Sequence, residues 1–329
     1  MRADTGAPAP GTGTLPSDDL AAAQAFMKPL TVGLNVERGW AWDVPGGPSA
    51  EAQYLVGLGV THVRLFFPWS PSLDFGLGKG EPSAAQIATF FDAVNKWIAG
   101  GVTVFVDATD MITPQDFTDS KAAIYAEVTA VAAAAAARHF PKEKFAIGPI
   151  NEWVGDDGNG GDPFVVPRKE LHDILRAALP GYVLTESSEY WDYYKNLLKL
   201  TPSTDQRTIY SFHCYDTQSA SGWSEQVKAP LTAWSKQHGG LPILWGEAGP
   251  GDPRNASGWP ANIADIASEM AVFRPTFWAI TYGGELSFGK SASDATLQDG
   301  TNGTVDLKGA VVAAGAAAKT ALAGNNGAP

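Results

Sequence analysis

The chain has 329 residues, of which 44% are hydrophobic and 18% are charged, as is typical of a globular protein with a sizeable core. Its formal net charge of −12 argues against nucleic acid or an anionic membrane as a partner. Cys214 is the only cysteine, which excludes an intramolecular disulfide and a cysteine-based metal site. No apolar run in the sequence is long enough to span a bilayer.

The two ends of the chain differ in composition from the rest. Residues 1–16 are rich in Pro, Gly and Thr and lack the apolar centre of a signal peptide, so we predict a disordered tether. Residues 323–329 are predicted to be a disordered tail. Residues 30–322 contain no linker and no shift in composition, so we predict that residues 17–322 form a single domain. We interpret the N-terminus as a mature end left after a signal was removed, and therefore expect a secreted or periplasmic protein.

Between the ends, short apolar runs alternate with helical patterns. Strands are predicted at 31–36, 61–67, 102–107, a run ending at residue 152, 182–185, 208–215, 242–247 and 276–281. Helices are predicted at 17–26, 49–58, 83–99, 120–138, 167–179, 190–200, 224–238, 261–273 and 305–322. The first of these is expected to pack across the bottom of a barrel formed by the strands.

This alternation predicts an α/β fold with a parallel sheet. Eight repeating units predict closure into a (β/α)8 TIM barrel that forms a single domain. An open doubly wound sheet is the competing fold. No Gly-rich phosphate loop follows the first strand, which weighs against the nucleotide-binding forms of that fold.

Polar side chains gather where the predicted strands end. Asn151 and Glu152 close the fourth strand, and Glu247 closes the seventh. In parallel α/β folds, ligands bind at the carboxyl ends of the strands. Two strands that each deliver a glutamate to one cleft supply the paired carboxyl groups that acid/base chemistry on a glycosidic bond requires.

Several of these positions together resemble the family 5 glycoside hydrolases. That family carries Arg on strand two, Asn-Glu on strand four, His-x-Tyr on strand six, Glu on strand seven and Trp on strand eight of its barrel. The corresponding residues here are Arg64, Asn151-Glu152, His213-Cys214-Tyr215, Glu247 and Trp278. The resemblance extends from about residue 31 to residue 322.

The match departs from the family pattern at two places. Trp153 stands where a proline usually follows the Asn-Glu pair. Many members also carry a histidine at the end of strand three, where this chain has Asp107-Ala108-Thr109-Asp110. The departures bear on how a sugar is held at the cleavage site.

The resemblance implies a division of labour between the two glutamates. Glu152 is the expected acid/base and Glu247 the expected nucleophile of a retaining β-glycosidase that works by double displacement. A cation from Arg64 and a hydrogen bond from Tyr215 near Glu247 favour its ionised form. His213 beside Glu152 is expected to tune or relay its proton.

Further residues are expected to contact the sugar. Asn151 is expected to bind the sugar 2-hydroxyl, and Trp278 to form an apolar platform under the ring. Trp40 and Trp153, in or beside loops, are candidate stacking residues, with burial as a loop anchor the alternative for each. The other tryptophans in such places are Trp42, Trp69, Trp191, Trp223 and Trp259. Rival carboxylates at strand ends, which we place around the site or at its rim, are Asp107, Asp110, Glu186, Glu189 and Glu285.

The expected activity is that of an endo-β-1,4-glucanase acting on a β-glucan polysaccharide or oligosaccharide as a monomer. A β-mannanase or another β-glucan hydrolase of the family is the first alternative, and a barrel that binds polysaccharide without cutting it is the second. A metal-dependent barrel hydrolase is a third. We expect no cofactor and no metal, because the Asp/Gly-rich segment 156–162 lacks EF-hand spacing.

Overall fold

The computed structural model describes residues 17–36, 47–71, 81–153, 165–215, 224–249, 259–280, 297–299, 303–305 and 307–324. Its main strands are β1 Val32–Val36, β2 Val60–Phe66, β3 Thr103–Asp107, β4 Phe145–Gly148, β5 Val183–Ser187, β6 Thr208–Cys214, β7 Ile243–Ala248 and β8 Thr276–Ile280. Each pairs in parallel with its neighbour in sequence, and β8 pairs with β1 to close a barrel. The predicted (β/α)8 barrel is thus confirmed, and a closed ring rules out the open doubly wound sheet.

Helices surround the strands. They are α1 Asp18–Met27, α2 Pro48–Gly57, α3 Ala84–Ala99, α4 Pro114–Arg138, α5 Val165–Ala178, α6 Glu189–Asp192, α7 Tyr194–Leu197, α8 Ala229–Gln237, α9 Trp259–Glu269 and α10 Leu307–Gly324. A π-helical turn, Ser224–Lys228, precedes α8, and a 3-10 turn, Ala271–Phe273, follows α9. Among the described helices, none combines the length and the apolar character that crossing a membrane requires.

Two helices are capped by side chains that reach back across their first turn. Ser83 caps α3 and exchanges hydrogen bonds with Gln86. Thr113 caps α4 in the same way through Asp116, with Pro114 at the first helical position. This cap explains why α4 begins six residues before the predicted helix at 120–138, and a non-helical Ser120 marks the kink between the two parts.

Other boundaries also differ from the prediction. The predicted helix at 190–200 is two short helices, α6 and α7, and the one at 224–238 is divided between the π-helical turn and α8. Helix α10 continues to Gly324, two residues into the predicted tail. Residues 1–16 and 325–329 lie outside the described part of the chain, so the tether stays a prediction.

Helix α1 covers the bottom of the barrel. Phe26 meets Phe105 of β3 edge to edge, with ring centroids 5.6 Å apart. The cluster they belong to consists of Phe26, Met27, Leu30, Phe105, Ala146, Val183, Ile209 and Leu244. Burying one such large side chain stabilises a fold by roughly 1.5–3 kcal/mol. The bottom of the barrel is therefore closed by packing, which leaves the carboxyl ends of the strands for chemistry.

The strand register brings polar residues together at the carboxyl end. Asn35 of β1 lies opposite Arg64 of β2, and His213 of β6 lies opposite Glu247 of β7. The β6–β7 register shifts between Phe212 and His213. Such irregularities re-aim a side chain next to an active site. The shift sets the imidazole beside the carboxylate of the next strand.

Candidate active site

Arg64 is the centre of the polar cluster at the top of the barrel. Its Nη1 lies 2.7 Å from Glu247 Oε1, its Nη2 donates to Asn151 Oδ1 at 2.7 Å, and its Nε lies 2.8 Å from Asp107 Oδ2. Burial opposes the charge of Arg64, but the negative charges of Asp107 and Glu247 outweigh it and raise the pKa above its usual range. The guanidinium is therefore a permanent cation that orients three side chains from different segments.

Glu152 is positioned by the segment that follows β3. Strand β4 ends at Gly148, not at residue 152 as predicted, because Pro149 has no N–H to continue the ladder. The chain then pairs as a short parallel bridge, with Glu152–Trp153 beside Met111–Ile112.

Backbone and side-chain hydrogen bonds hold this bridge in place. The Glu152 N–H donates to the Asp110 carbonyl at 3.2 Å, and the Asn151 N–H donates to the Thr109 carbonyl at 2.8 Å. The Asn151 side-chain amide donates to Asp110 Oδ1 at 2.9 Å. Asn151 thus connects Arg64 to Asp110, and the segment that stands in place of the usual histidine helps to hold Glu152.

His213 connects the two glutamates. Its Nδ1 is 2.6 Å from Glu152 Oε1, and its Nε2 is 3.6 Å from Glu247 Oε1. Burial lowers the pKa of His213 to about 3; the charge of Glu247 raises this pKa, and Arg64 lowers it further. The imidazole is therefore neutral near pH 7 and acts as a hydrogen-bonding partner rather than as a cation.

The two glutamates lie close together in unlike surroundings. One carboxylate oxygen of each, together with a ring nitrogen of His213, falls in a group whose atoms all lie within 4.8 Å of one another. Burial raises the pKa of Glu152 to about 7, although the Arg64 charge lowers it. Glu247 is bound by Arg64 and also accepts a hydrogen bond from the Tyr215 hydroxyl. One carboxyl group is thus prepared to hold a proton, and the other is surrounded by donors that suit an anion.

Tyr215 remains a donor to Glu247 over the whole neutral range. Burial raises the pKa of this phenol well above its usual value, and the negative charge of Glu247 raises it further. A phenol that keeps its proton donates to the carboxylate.

The same three residues also form the group most suited to a metal ion within the described residues: Glu152, His213 and Glu247. Two ligands on one tetrahedral zinc, each about 2.1 Å from the ion, stand roughly 3.4 Å apart. The 2.6 Å between His213 Nδ1 and Glu152 Oε1 is the distance of a direct hydrogen bond instead.

The tryptophans that were candidate sugar-stacking residues differ in their exposure to solvent. Trp153 is 2% exposed and packs against Phe117, with ring centroids 5.8 Å apart, so its indole belongs to the core and offers no open stacking surface. Trp69 is likewise buried, whereas Trp191 is 45% exposed. Trp278 lies on β8. The remaining predictions lie outside the described residues: Trp40, Trp42, Trp223, Glu285 and the segment 156–162.

The rival carboxylates are divided between the site and the helix layer. Asp107 and Asp110 join the site through Arg64 and Asn151. Burial raises the pKa of Asp107 to about 6, against the lowering effect of Arg64. Glu186 instead pairs with residues of α5. Glu189 is the first residue of α6.

Two buried polar residues of this cluster were not predicted. Asn35 donates to the carbonyls of Gly246 and Thr276 at 2.9 and 3.1 Å, and so ties β1 to β7 and to β8. A lone asparagine in the apolar run 32–36 was the available signal. Asp192, at the end of α6, has its Oδ2 3.6 Å from His213 Nε2. It lies in a segment predicted to be a plain helix, where no pattern marked it.

A model of a known protein family matches most of the chain. The family model described as cellulase (glycosyl hydrolase family 5) matches residues 32–284. No curated protein sequence matches the chain.

Solved structures share the fold at low sequence identity. A broad-specificity endoglucanase from Clostridium cellulovorans is 16% identical with a TM-score of 0.65, and the match covers 92% of this chain and 97% of that one. A similar endoglucanase from Clostridium longisporum is 13% identical with a TM-score of 0.63, over 90% and 98%. A xyloglucan-specific endo-β-1,4-glucanase from a metagenomic library, in complex with cellotriose, is 18% identical with a TM-score of 0.59, over 89% and 99%.

Proposed function

The chain belongs to glycosyl hydrolase family 5, and we propose that it is a retaining endo-β-1,4-glucanase. The observation that carries this proposal is the pair of buried glutamates with oxygens within 4.8 Å, one with a raised pKa and one held by a cation and a phenol. Retaining glycosidases place their carboxyl groups roughly 5–5.5 Å apart, whereas inverting enzymes leave roughly 6.5–9.5 Å for a water molecule. The short separation supports the retaining mechanism.

In the first step, a carboxylate oxygen of Glu247 attacks the anomeric carbon. The bond from that carbon to the glycosidic oxygen breaks, and the proton of Glu152 passes to the departing oxygen. A glycosyl ester of Glu247 results. Arg64 and Tyr215 hold the attacking carboxylate in place through one hydrogen bond to each of its oxygens.

In the second step, water attacks the anomeric carbon of the ester. Glu152, now ionised, accepts a proton from that water, and the Glu247 carboxylate leaves with both electrons of the ester bond. The pKa of about 7 suits Glu152 to both roles, because a group that titrates near the working pH gives and takes a proton with similar ease. The product keeps the β configuration.

The proposed substrate is a neutral β-1,4-glucan. An acidic chain with a net charge of −12 is compatible with an uncharged polymer. The exposed indole of Trp191, next to buried Asp192, is a surface on which a sugar ring can stack. Solved neighbours whose descriptions name endoglucanases and cellotriose are consistent with this substrate. We also propose that the protein is a monomer and that it is secreted or periplasmic.

Product analysis on a panel of polysaccharides tests the proposal. We expect viscosity of mixed-linkage glucan and carboxymethylcellulose to fall faster than reducing ends appear, as internal cleavage requires. Glu152→Gln and Glu247→Gln should each remove nearly all of this activity. Cleavage of mannan alone would indicate a β-mannanase. Binding of glucan without any cleavage would indicate a non-catalytic barrel.

A further inference from the structure

Asp192 is a fully buried acid in an unusual backbone conformation. Its exposed fraction is 0%, and its φ of 51° follows a φ of 57° at Trp191. Two consecutive non-glycine residues in the left-handed region are strained, and such strain clusters at functional sites. The conformation turns one side chain outward and the other inward, since Trp191 is exposed and Asp192 is buried.

The inward turn directs Asp192 toward His213. Its Oδ2 lies 3.6 Å from His213 Nε2, and the next residue, Tyr193, forms a parallel bridge with His213. Neither Asp192 oxygen makes a hydrogen bond of regular geometry with the described part of the chain. His213 Nε2 has no hydrogen bond there either. Two buried polar groups, neither of which makes a hydrogen bond of regular geometry at these atoms, therefore face one another.

The charges around Asp192 favour its neutral form. Burial raises the pKa of Asp192 well above its usual range, and the charge of Glu152 raises it further. The charge of Arg64 and the side chain of Ser187 lower this pKa, and the charge of Asp107 raises it. A protonated carboxyl group is a donor, and it needs an acceptor.

A neutral imidazole carries one proton, and its position matters for the acid. If the proton is on Nδ1, His213 donates to Glu152 Oε1, and the Glu152 proton is left on Oε2. If the proton is on Nε2, Nδ1 is an acceptor and draws the Glu152 proton onto Oε1, where the hydrogen bond to the imidazole occupies it. The 2.6 Å contact is compatible with either arrangement, so the groups around Nε2 decide between them.

Two acids lie at 3.6 Å from Nε2, and they pull in opposite directions. Ionised Glu247 accepts and would draw the proton to Nε2, but its Oε1 already binds Arg64 at 2.7 Å. Protonated Asp192 donates and would leave Nε2 bare. A distance of 3.6 Å is longer than a hydrogen bond, and contacts of this kind commonly tighten when substrate binds.

Resting on the function proposed above, we propose that Asp192 is a positioning residue that donates to Nε2 of His213. The imidazole proton then stays on Nδ1, and the proton of Glu152 stays on Oε2, the oxygen that His213 does not contact. Asp192 does not touch substrate in this role. It acts through His213 on the proton of the acid.

Nitrogen NMR of the full-length wild-type protein tests the tautomer of His213 directly. With 15N-labelled histidine and His213 assigned through a His213→Gln sample, we expect a pyrrole-type signal at Nδ1 and a pyridine-type signal at Nε2. The reverse assignment would overturn the proposal. The measurement does not depend on activity, so it separates failure of this inference from failure of the proposed function, which would appear as a wild-type protein inactive on every glycoside.

Two substitutions at residue 192 extend the test. Asp192→Gly removes the donor while tolerating the left-handed backbone, and Asp192→Asn keeps an N–H donor in a residue that also accepts this conformation. The readout is kcat/KM on cello-oligosaccharide and on a dinitrophenyl cellobioside, whose leaving group needs little protonation. Both values report the step up to formation of the glycosyl ester.

We expect Asp192→Gly to lose about 10-fold or more on the oligosaccharide and less than about 2-fold on the aryl glycoside, since protonation of a leaving group contributes about 10²–10⁴-fold. Asp192→Asn should keep the wild-type ratio of the two substrates. Equal losses on both substrates in Asp192→Gly, or a changed ratio in Asp192→Asn, would contradict the proposal. If Asp192→Gly does not fold, the tautomer of His213 in the wild-type protein, as measured by NMR, decides whether the proposal holds.

Discussion

Glu152 is the residue that we propose as the catalytic acid. Its carboxyl group lies beside a neutral imidazole, and burial raises its pKa to about 7. As the pH rises through this value the acid loses its proton, so kcat/KM on unactivated oligosaccharides should decline there. A pH series on cellotetraose checks this. A dinitrophenyl glycoside is the control, and a decline of the same size on both substrates would count against Glu152 as the acid.

Chemical rescue distinguishes the roles of the two glutamates. Removing Glu152 leaves the nucleophile intact, so azide should restore activity of Glu152→Ala on an aryl glycoside and give a β-glycosyl azide. In Glu247→Ala, azide should take the place of the missing nucleophile and give an α-glycosyl azide. Rescue of Glu152→Ala with an α product would mean that the roles are exchanged. The anomeric proton coupling of the isolated azide provides the measurement.

Gly246 tests the packing around His213. A Cβ at this position would lie 2.3 Å from Ser211 Oγ and 3.2 Å from His213 Nε2. We expect Gly246→Ala to lower kcat/KM by about 10-fold or more, because displacing a catalytic group by a fraction of an ångström is costly. Ser211→Ala removes the nearer atom, so the double variant should recover part of the loss. An unchanged kcat/KM in Gly246→Ala would contradict this packing.

At the scale of elements, a charge network joins α5 to Glu186 of β5 and to Asp205 in the loop before β6. His172 of α5 has Nδ1 2.8 Å from Glu186 Oε1 and Nε2 2.7 Å from Asp205 Oδ2. Arg168 pairs with Glu186 at 3.2 Å, and Arg176 with Asp205 at 2.7 Å. Glu186 faces this network on the helix side of β5, which explains why it does not join the active site.

This network should make stability depend on pH. Burial lowers the pKa of His172, but the hydrogen bonds and charges of Asp205 and Glu186 outweigh it and raise the pKa from 6.5 to about 9. Since the folded pKa lies above the unfolded one, the stabilisation is complete below pH 6.5 and is lost as the pH rises through about 9.

We predict that the free energy of unfolding differs between the wild-type protein and His172→Gln, and that this difference depends on pH. The variant should be less stable by roughly 1–3 kcal/mol at pH 6, and the gap should narrow toward pH 9.5. Urea unfolding at several pH values measures both free energies. Lys169→Gln, on the exposed face of the same helix, is a matched control and should show little change. A gap that does not vary with pH would contradict a charged His172.

The predictable part of the structure followed local patterns. Apolar runs between helices located all eight barrel strands. The start of α4 was missed because the signal lies in Thr113 and Asp116, ahead of the apolar pattern. Glu152 was placed at the end of a strand, yet it follows Pro149 in a separate bridge whose partner segment, 111–112, lies about 40 residues earlier.

At the scale of the whole molecule, barrel closure assembles the site. Arg64, Asn151, His213 and Glu247 come from four distant segments, and they could be predicted to meet because parallel strands present their carboxyl ends on one face. Asp192 could not be found in this way. Its inward position depends on a left-handed turn and on His213 as a neighbour, neither of which the local sequence encodes in a recognisable pattern.

The central claim is that Glu247 forms a covalent bond with the sugar. A 2-deoxy-2-fluoro cellobioside with a dinitrophenyl leaving group slows both steps but leaves formation of the ester faster than its hydrolysis, so the intermediate accumulates. Mass spectrometry of the intact protein and then of its peptic peptides should find one fluorocellobiosyl group, attached to Glu247. Attachment to another residue, or release of the α anomer as the first product from a cello-oligosaccharide, would contradict the account.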